Sequence, residues 1–234
     1  MTNTLRPTTY SAGDGLPVAE TFWHLYAILI TLEVLRQFLA NQRATVLANQ
    51  FLYYAQDFPQ LRVAPDVMVI FGVEPGGRDN YKTWEEGQIP SVVFEITSKS
   101  TQAKDQGEKK NLYAGLGVTE YWLFDPKGEW IAEQLQGYRL HTFEEDGDLI
   151  NRYVPITDDT CIPLGLHLVI EGTLIGFYRL DTGEKLLIPS ELAARLEQSE
   201  QRAEQAEQRA EQERQAKERL AERLRALGVD PDNL

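Results

Sequence analysis

Two acidic residues sit inside apolar, strand-like runs. Asp66 follows Pro65 within Leu61 to Phe71, and Glu95 lies within Ser91 to Thr97. A carboxylate in a buried strand is costly unless it is paired or bound to a metal. Two of them on adjacent strands repel, and a hard divalent cation between them relieves that repulsion. Helix geometry adds a third group. At about 100° per residue, Leu112, Tyr113 and Leu116 mark the apolar face of a helix expected over Asp105 to Leu116, and Lys109 projects onto the middle of that face. Lys110 falls roughly 100° away, toward solvent. A lysine on a sheet-facing stripe either reaches the two carboxylates or covers apolar surface with its stem.

The elements that must position this set follow from periodicity and punctuation. A helix is expected over Val18 to Ala40, where Trp23, Tyr26, Ala27, Ile30, Val34 and Leu35 fall at helical spacing. Strands are expected over Thr45 to Tyr53, Leu61 to Phe71, Ser91 to Thr97 and Glu120 to Asp125. The β-branched run at Ser91 to Thr97 predicts a strand buried on both faces. Gly72 to Pro90 reads as a loop. Asp105 with Glu108 has the spacing of a capping box for the second helix, and Gly117 is placed to stop it. Pro126-Lys127-Gly128 reads as a turn into strands near Ile131 to Leu135 and Tyr138 to Phe143, with residues 144–189 irregular to β-rich. The predicted fold is α/β: a mixed β-sheet flanked by helices.

Beyond Pro189 the composition shifts to Ala, Glu, Gln, Arg and Leu. The expected organisation is a lead-in over 1–17, a domain over 18–189, a charged helix over 190–228 closed by Gly228 and Pro231, and a tail over 229–234. A 4-3 line runs Leu192, Leu196, Ser199, Ala203, Ala206, Ala210, Glu213, Lys217, Leu220, Leu224, Leu227. Its middle buries little, so a coiled coil and a solvated single helix held by i,i+4 Glu–Arg pairs both remain open.

Net charge is −13; the segment from Ser190 onward contributes −3 and the rest −10. The body is therefore acidic, which argues against tight non-specific DNA binding but leaves room for a local basic groove. Lys99, Lys104, Lys109 and Lys110 form the basic cluster that straddles the proposed site. The single cysteine, Cys161, excludes an internal disulfide and reads as a small buried apolar residue, consistent with a cytoplasmic protein. His24, His141 and His167 are too scattered for a histidine-based metal site, although His24 could approach the carboxylates from the first helix. Tyr113 and Trp122 read as core residues, and no apolar run reaches the length of a membrane span.

The order Asp, Glu, Lys resembles the PD-(D/E)xK nuclease superfamily, with Pro65-Asp66 as its first motif and Glu95 as the acid of its second. More closely, the chain resembles the bacterial Uma-type family of restriction-endonuclease-like proteins, over roughly residues 20–180. The resemblance is carried by Pro65-Asp66-Val67, Glu95-Ile96-Thr97-Ser98, Ser100-Thr101, Asp105, Lys109, Tyr113 and Gly117-Val118-Thr119-Glu120-Tyr121-Trp122. The superfamily pattern places lysine two residues after the acid, where this chain has Thr97; the family's lysine is then Lys109 on the next helix, with Lys99 as its substitute.

The resemblance implies a restriction-endonuclease-like domain and metal-assisted phosphodiester hydrolysis. Asp66, Glu95 and the main-chain carbonyl of Ile96 would hold Mg²⁺, with Mn²⁺ as the alternative ion. Lys109 would orient the attacking water or stabilise charge on the phosphate. A first-helix acid sometimes joins such sites, which makes Glu20 and Glu33 candidates. DNA is the expected substrate, with Lys99, Lys104 and Lys110 along its backbone, and a homodimer would form through the domain or the terminal helix. Two rival readings stand beside it: a nuclease-fold protein that no longer cuts and works through its helical arm, and a hydrolase of small phosphate esters or nucleotides.

Overall fold

The computed structural model describes residues 8–13 and 21–226. The lead-in at 1–7 and 14–17, the helix start at Val18, the candidate Glu20, Leu227, the helix stops Gly228 and Pro231, and the tail 229–234 lie outside the described residues. The chain divides into two compact units, Met1–Leu186 and Leu187–Leu234.

In the first unit, helix α1 (Phe22–Phe38) is capped by Thr21, whose side chain accepts the His24 amide. Its buried face is His24, Ala27, Ile28, Ile30, Thr31, Val34 and Leu35, while Trp23 is exposed. The expected stripe is thus turned by one position at the helix start, where His24 and not Trp23 faces the sheet. Strands β1 (Ala44–Ala48) and β2 (Leu52–Tyr53) replace the single expected run. Asn49 between them has φ 51°, a left-handed conformation that breaks a strand and that Asn tolerates. The next run also divides, into β3 (Arg62–Val63) and β4 (Val67–Phe71), with Pro65 and Asp66 in the gap. The expected loop contains β5 (Tyr81–Lys82) and one turn of helix, α2 (Thr83–Glu86).

Strand β6 (Val92–Ile96) is buried throughout. The helix after it starts earlier than expected: α3 (Gln102–Lys104) continues through a π-helical turn, Asp105–Lys109, into α4 (Lys110–Leu116). Asp105 therefore lies inside the helix with its side chain buried, and the capping box does not form. Gly117 ends α4 in the left-handed conformation at φ 87°. β7 (Glu120–Phe124) is buried along its length. Ile131 lies in a turn, so the two strands expected after Pro126 are one, β8 (Leu135–Glu145), which forms a long hairpin with β9 (Asp148–Ile156).

The main sheet has the order β1-β4-β6-β7-β8-β9. β6 and β7 are parallel and the other pairs antiparallel, so the sheet is mixed. The parallel pair needs a crossover, and α3–α4 supplies it. On one face, Val93, Tyr121, Leu123, Met68 and Ile70 pack with Tyr113. α1 packs against β1, β4 and β6, and also against β12. Three further strands, β10 (Thr160–Cys161), β11 (Leu166–Glu171) and β12 (Leu174–Arg179), form a small antiparallel sheet, and Phe177 of β12 meets Phe94 edge-on. β3-β2-β5 make another small sheet.

The second unit contains α5 (Pro189–Ala226). Among the described residues, no helix is long and apolar enough to cross a membrane.

Candidate active site

Glu95 lies in the middle of the sheet's most buried pair of strands and has no exposure to solvent. Both of its oxygens are claimed by the crossover helix: Tyr113 Oη donates to Oε1 at 2.7 Å and Lys109 Nζ to Oε2 at 2.8 Å. Asp66, in the gap before β4, is placed by Ile96 on the neighbouring strand, whose amide donates to Oδ2 at 2.7 Å. His24 Nε2 approaches the same oxygen at 3.7 Å from α1. Asp105 comes from the π-helical turn, with Lys109 Nζ 2.9 Å from its Oδ1. Neither Asp105 oxygen has a hydrogen-bond partner of good geometry, although both are buried.

The helix delivers these groups because Asp105, Lys109 and Tyr113 are spaced four apart. Residues four apart advance around an α-helix by about 40° per step, so a long stripe drifts off a straight line. The wider π-helical turn reduces that drift, and all three side chains stay over β6. Single π turns inside α-helices are frequent at functional sites.

The electrostatics are unbalanced. Burial pushes the Asp66 carboxyl well above the usual range, and the Glu95 charge pushes it further. Burial also raises Glu95, against the pull of Lys109. For Lys109, burial works against the ammonium, but Glu95, Asp105 and Asp66 together outweigh it and hold its pKa above the ordinary value. One lysine therefore faces three carboxylates in a place where only Asp66, at 13% side-chain exposure, and Lys109, at 20%, touch solvent. That deficit of positive charge is what a divalent cation would make good. Among the described residues no group of three or more His, Cys, Asp or Glu side chains is arranged around a common metal position. The donor set is accordingly sparse in side chains: two carboxylates beside a strand backbone. Mg²⁺ accepts such a set, since it keeps several waters and takes one or two carboxylates.

A family model described as "Putative restriction endonuclease" matches residues 11–160. The chain belongs to the Uma2 family. The matched span holds Asp66, Glu95 and Lys109 and stops before α5. A solved structure of a "putative nuclease" from Anabaena variabilis is similar over 66% of this chain and 82% of its own, at 14% identity and a TM-score of 0.39. Among curated proteins nothing matches.

Within this Uma2 domain, the structure brings Asp66, Glu95 and Lys109 together and sets Lys99 apart. Lys99 is exposed in the turn after β6, and Lys104 is exposed at the end of α3. Lys110 does not point freely to solvent: its ammonium sits 3.5 Å from the centroid of the Tyr138 ring, and burial lowers its pKa. Glu33 hydrogen-bonds Gln37 one turn along α1. It stands nine residues from His24, on the opposite side of the helix. Thr97, at the position where the superfamily has its lysine, is buried and its Oγ1 has no partner. Sequence reasoning assigned Asp105 to a helix cap and Tyr113 to the core; the 105-109-113 spacing was the signal that both share the lysine's stripe.

Proposed function

We propose that this Uma2 chain is a Mg²⁺-dependent endonuclease that hydrolyses phosphodiester bonds of DNA. The observation that carries the reading is the buried cluster of Asp66, Glu95 and Asp105 around one lysine. A purely structural role gives no reason to gather like charges in a sheet interior. Asp66, Glu95 and the Ile96 carbonyl would hold Mg²⁺, whose Lewis acidity polarises a phosphodiester oxygen when bound. Tyr113 fixes the Glu95 carboxylate in one orientation, and Ile96 does the same for Asp66. Lys109 stays protonated between Glu95 and Asp105. It therefore acts as a charge and a hydrogen-bond donor to phosphate or water, and not as a base.

Calorimetric titration of Mg²⁺ and Mn²⁺ into the wild type and the Asp66→Ala, Glu95→Ala and Lys109→Ala variants tests this, with folding checked by circular dichroism. Binding should vanish in both carboxylate variants and persist in Lys109→Ala, and DNA cleavage should vanish in all three. A wild type that binds neither ion at millimolar concentration, with or without DNA, sinks the reading.

The alternative reading, an interaction or oligomerisation module, rests on α5. Leu192, Leu196 and Leu220 are exposed on its 4-3 line, which supports a role as a self-association arm.

A further inference from the structure

Beside the carboxylates lies a cleft of about 130 Å³ between the start of α1, the end of β6 and the turn joining β7 to β8. Trp23 and Trp130 line it, with Lys99 and Lys127 at its rim and His24 and Thr97 deeper in. We infer that this cleft holds one unstacked base of a single-stranded DNA substrate, next to the phosphate that lies on Asp66, Glu95 and Lys109. The inference rests on the nuclease reading for the position of that phosphate.

Four observations carry it. The Thr97 hydroxyl is 2% exposed as a residue, lines the cleft, and has no hydrogen-bond partner in the protein. A buried hydroxyl without a partner is costly, and a base edge offers both donors and acceptors. Trp23 is 42% exposed although it is a large aromatic, and the Phe22 ring meets it edge-on at 5.0 Å. Trp130 is held in place from below: the buried Asp125 carboxylate accepts the amides of Lys127, Trp130 and Ile131, which fixes the turn that carries the indole. Finally, the cleft is continuous with the site. Thr97 stands two residues beyond Glu95, about 6.6 Å along the strand direction, and His24, which lines the cleft, is 3.7 Å from Asp66.

The dimensions choose the substrate form. The volume is well below the roughly 300–1,000 Å³ that encloses a drug-sized ligand, so the cleft admits one ring system and no duplex. Aromatic faces with flanking cations are the usual platform for single strands. Lys99 and Lys127 supply the cations, with Glu129 4.0 Å from Lys127 limiting the latter. This also removes a difficulty with the acidic body: a single strand threaded over a few lysines needs less basic surface than a duplex does.

The test is fluorescence anisotropy of labelled oligothymidylate and of a labelled duplex hairpin, in chelator so that cleavage plays no part. The single strand should bind at least about tenfold more tightly than the duplex, and Trp23→Ala and Trp130→Ala should each weaken it about tenfold or more. Trp23→Phe should restore most of the loss, which a fold defect would not. Equal affinity for the duplex, or unchanged affinity in both alanine variants, overturns the assignment. Displacement by thymidine monophosphate at the same concentration as by the strand, or a preference for oligouridylate, overturns it too. Because the readout is binding, failure here leaves metal binding and cleavage by the wild type standing, whereas loss of those with strand binding intact sinks the nuclease reading alone.

Discussion

Asp105 is the residue whose removal separates two accounts of Lys109. If the lysine's task is to meet phosphate, Asp105 serves as its second anchor, holding the ammonium 2.9 Å from its own carboxylate while Glu95 holds it at 2.8 Å. Asp105→Asn should then lower DNA cleavage roughly 10- to 100-fold, the usual effect of losing a supporting partner, with Mg²⁺ affinity in calorimetry unchanged. Unchanged cleavage would mean that Asp105 merely balances charge. A second residue-scale prediction concerns Cys161. Burial pushes its thiol well up, and the neighbouring Glu120 pushes it further. The folded thiol therefore stays protonated where the unfolded thiol ionises, above about pH 8.5. A raised folded pKa gives stability that is present below that pH and lost as pH rises. Urea unfolding should show a fall in stability between pH 8 and pH 10 that Cys161→Ala reduces. Asp66, Glu95 and Lys109 were legible in the sequence because each breaks an apolar pattern. Asp105 and Tyr113 break none, since a cap and a core aromatic explain them locally, and the orphaned Thr97 hydroxyl is visible only in three dimensions.

At the scale of elements, the close approach of β7 and β8 depends on one glycine. Trp122 on β7 lies opposite Gly137 on β8. A Cβ at Gly137 would stand 2.5 Å from Trp122 Cζ3 and 2.7 Å from Cε3. The indole cannot give way, because it is fully buried and its Nε1 donates to Glu120 at 3.1 Å. Gly137→Ala should cost about 1–3 kcal/mol in urea unfolding, as overpacking does; a neutral result would show that the strands can part there. The buried strands β6 and β7 could be read from the sequence because their apolar runs end at clear punctuation. The breaks at Asn49 and at Pro65-Asp66 could not, since the runs on either side are equally strand-like and the pairing resumes beyond the break in the same register, Ala48 with Val67 and then Leu52 with Val63. The early start of α3 escaped for a related reason: Asp105 and Glu108 have the spacing of a cap, and burial of the carboxylate against Lys109 overrides that local preference.

For the molecule as a whole, α5 raises the question of assembly. Its surface is laced by local contacts, including Gln215 to Glu211 at 2.8 Å and Arg214 to Glu211 at 3.0 Å. These are i,i+4 Gln–Glu and i,i+3 Arg–Glu pairs. Each such pair stabilises a helix by only about 0.2–0.5 kcal/mol, and they act whether or not the helix has a partner. The leucines act differently. Leu196 and Leu220 are 62% and 59% exposed, and both lie on the 4-3 line that a second α5 would cover. The Ala-rich middle contributes little burial, so association should be weak and reversible. Sedimentation equilibrium of the full chain should show a monomer–dimer balance that shifts with concentration, and Leu196→Lys with Leu220→Lys should leave a monomer. Because the family match stops at residue 160, that double variant should retain metal binding and cleavage. A wild type that stays monomeric at every concentration would make α5 a solitary solvated helix; a double variant that dimerises as before would move the interface to the Uma2 domain.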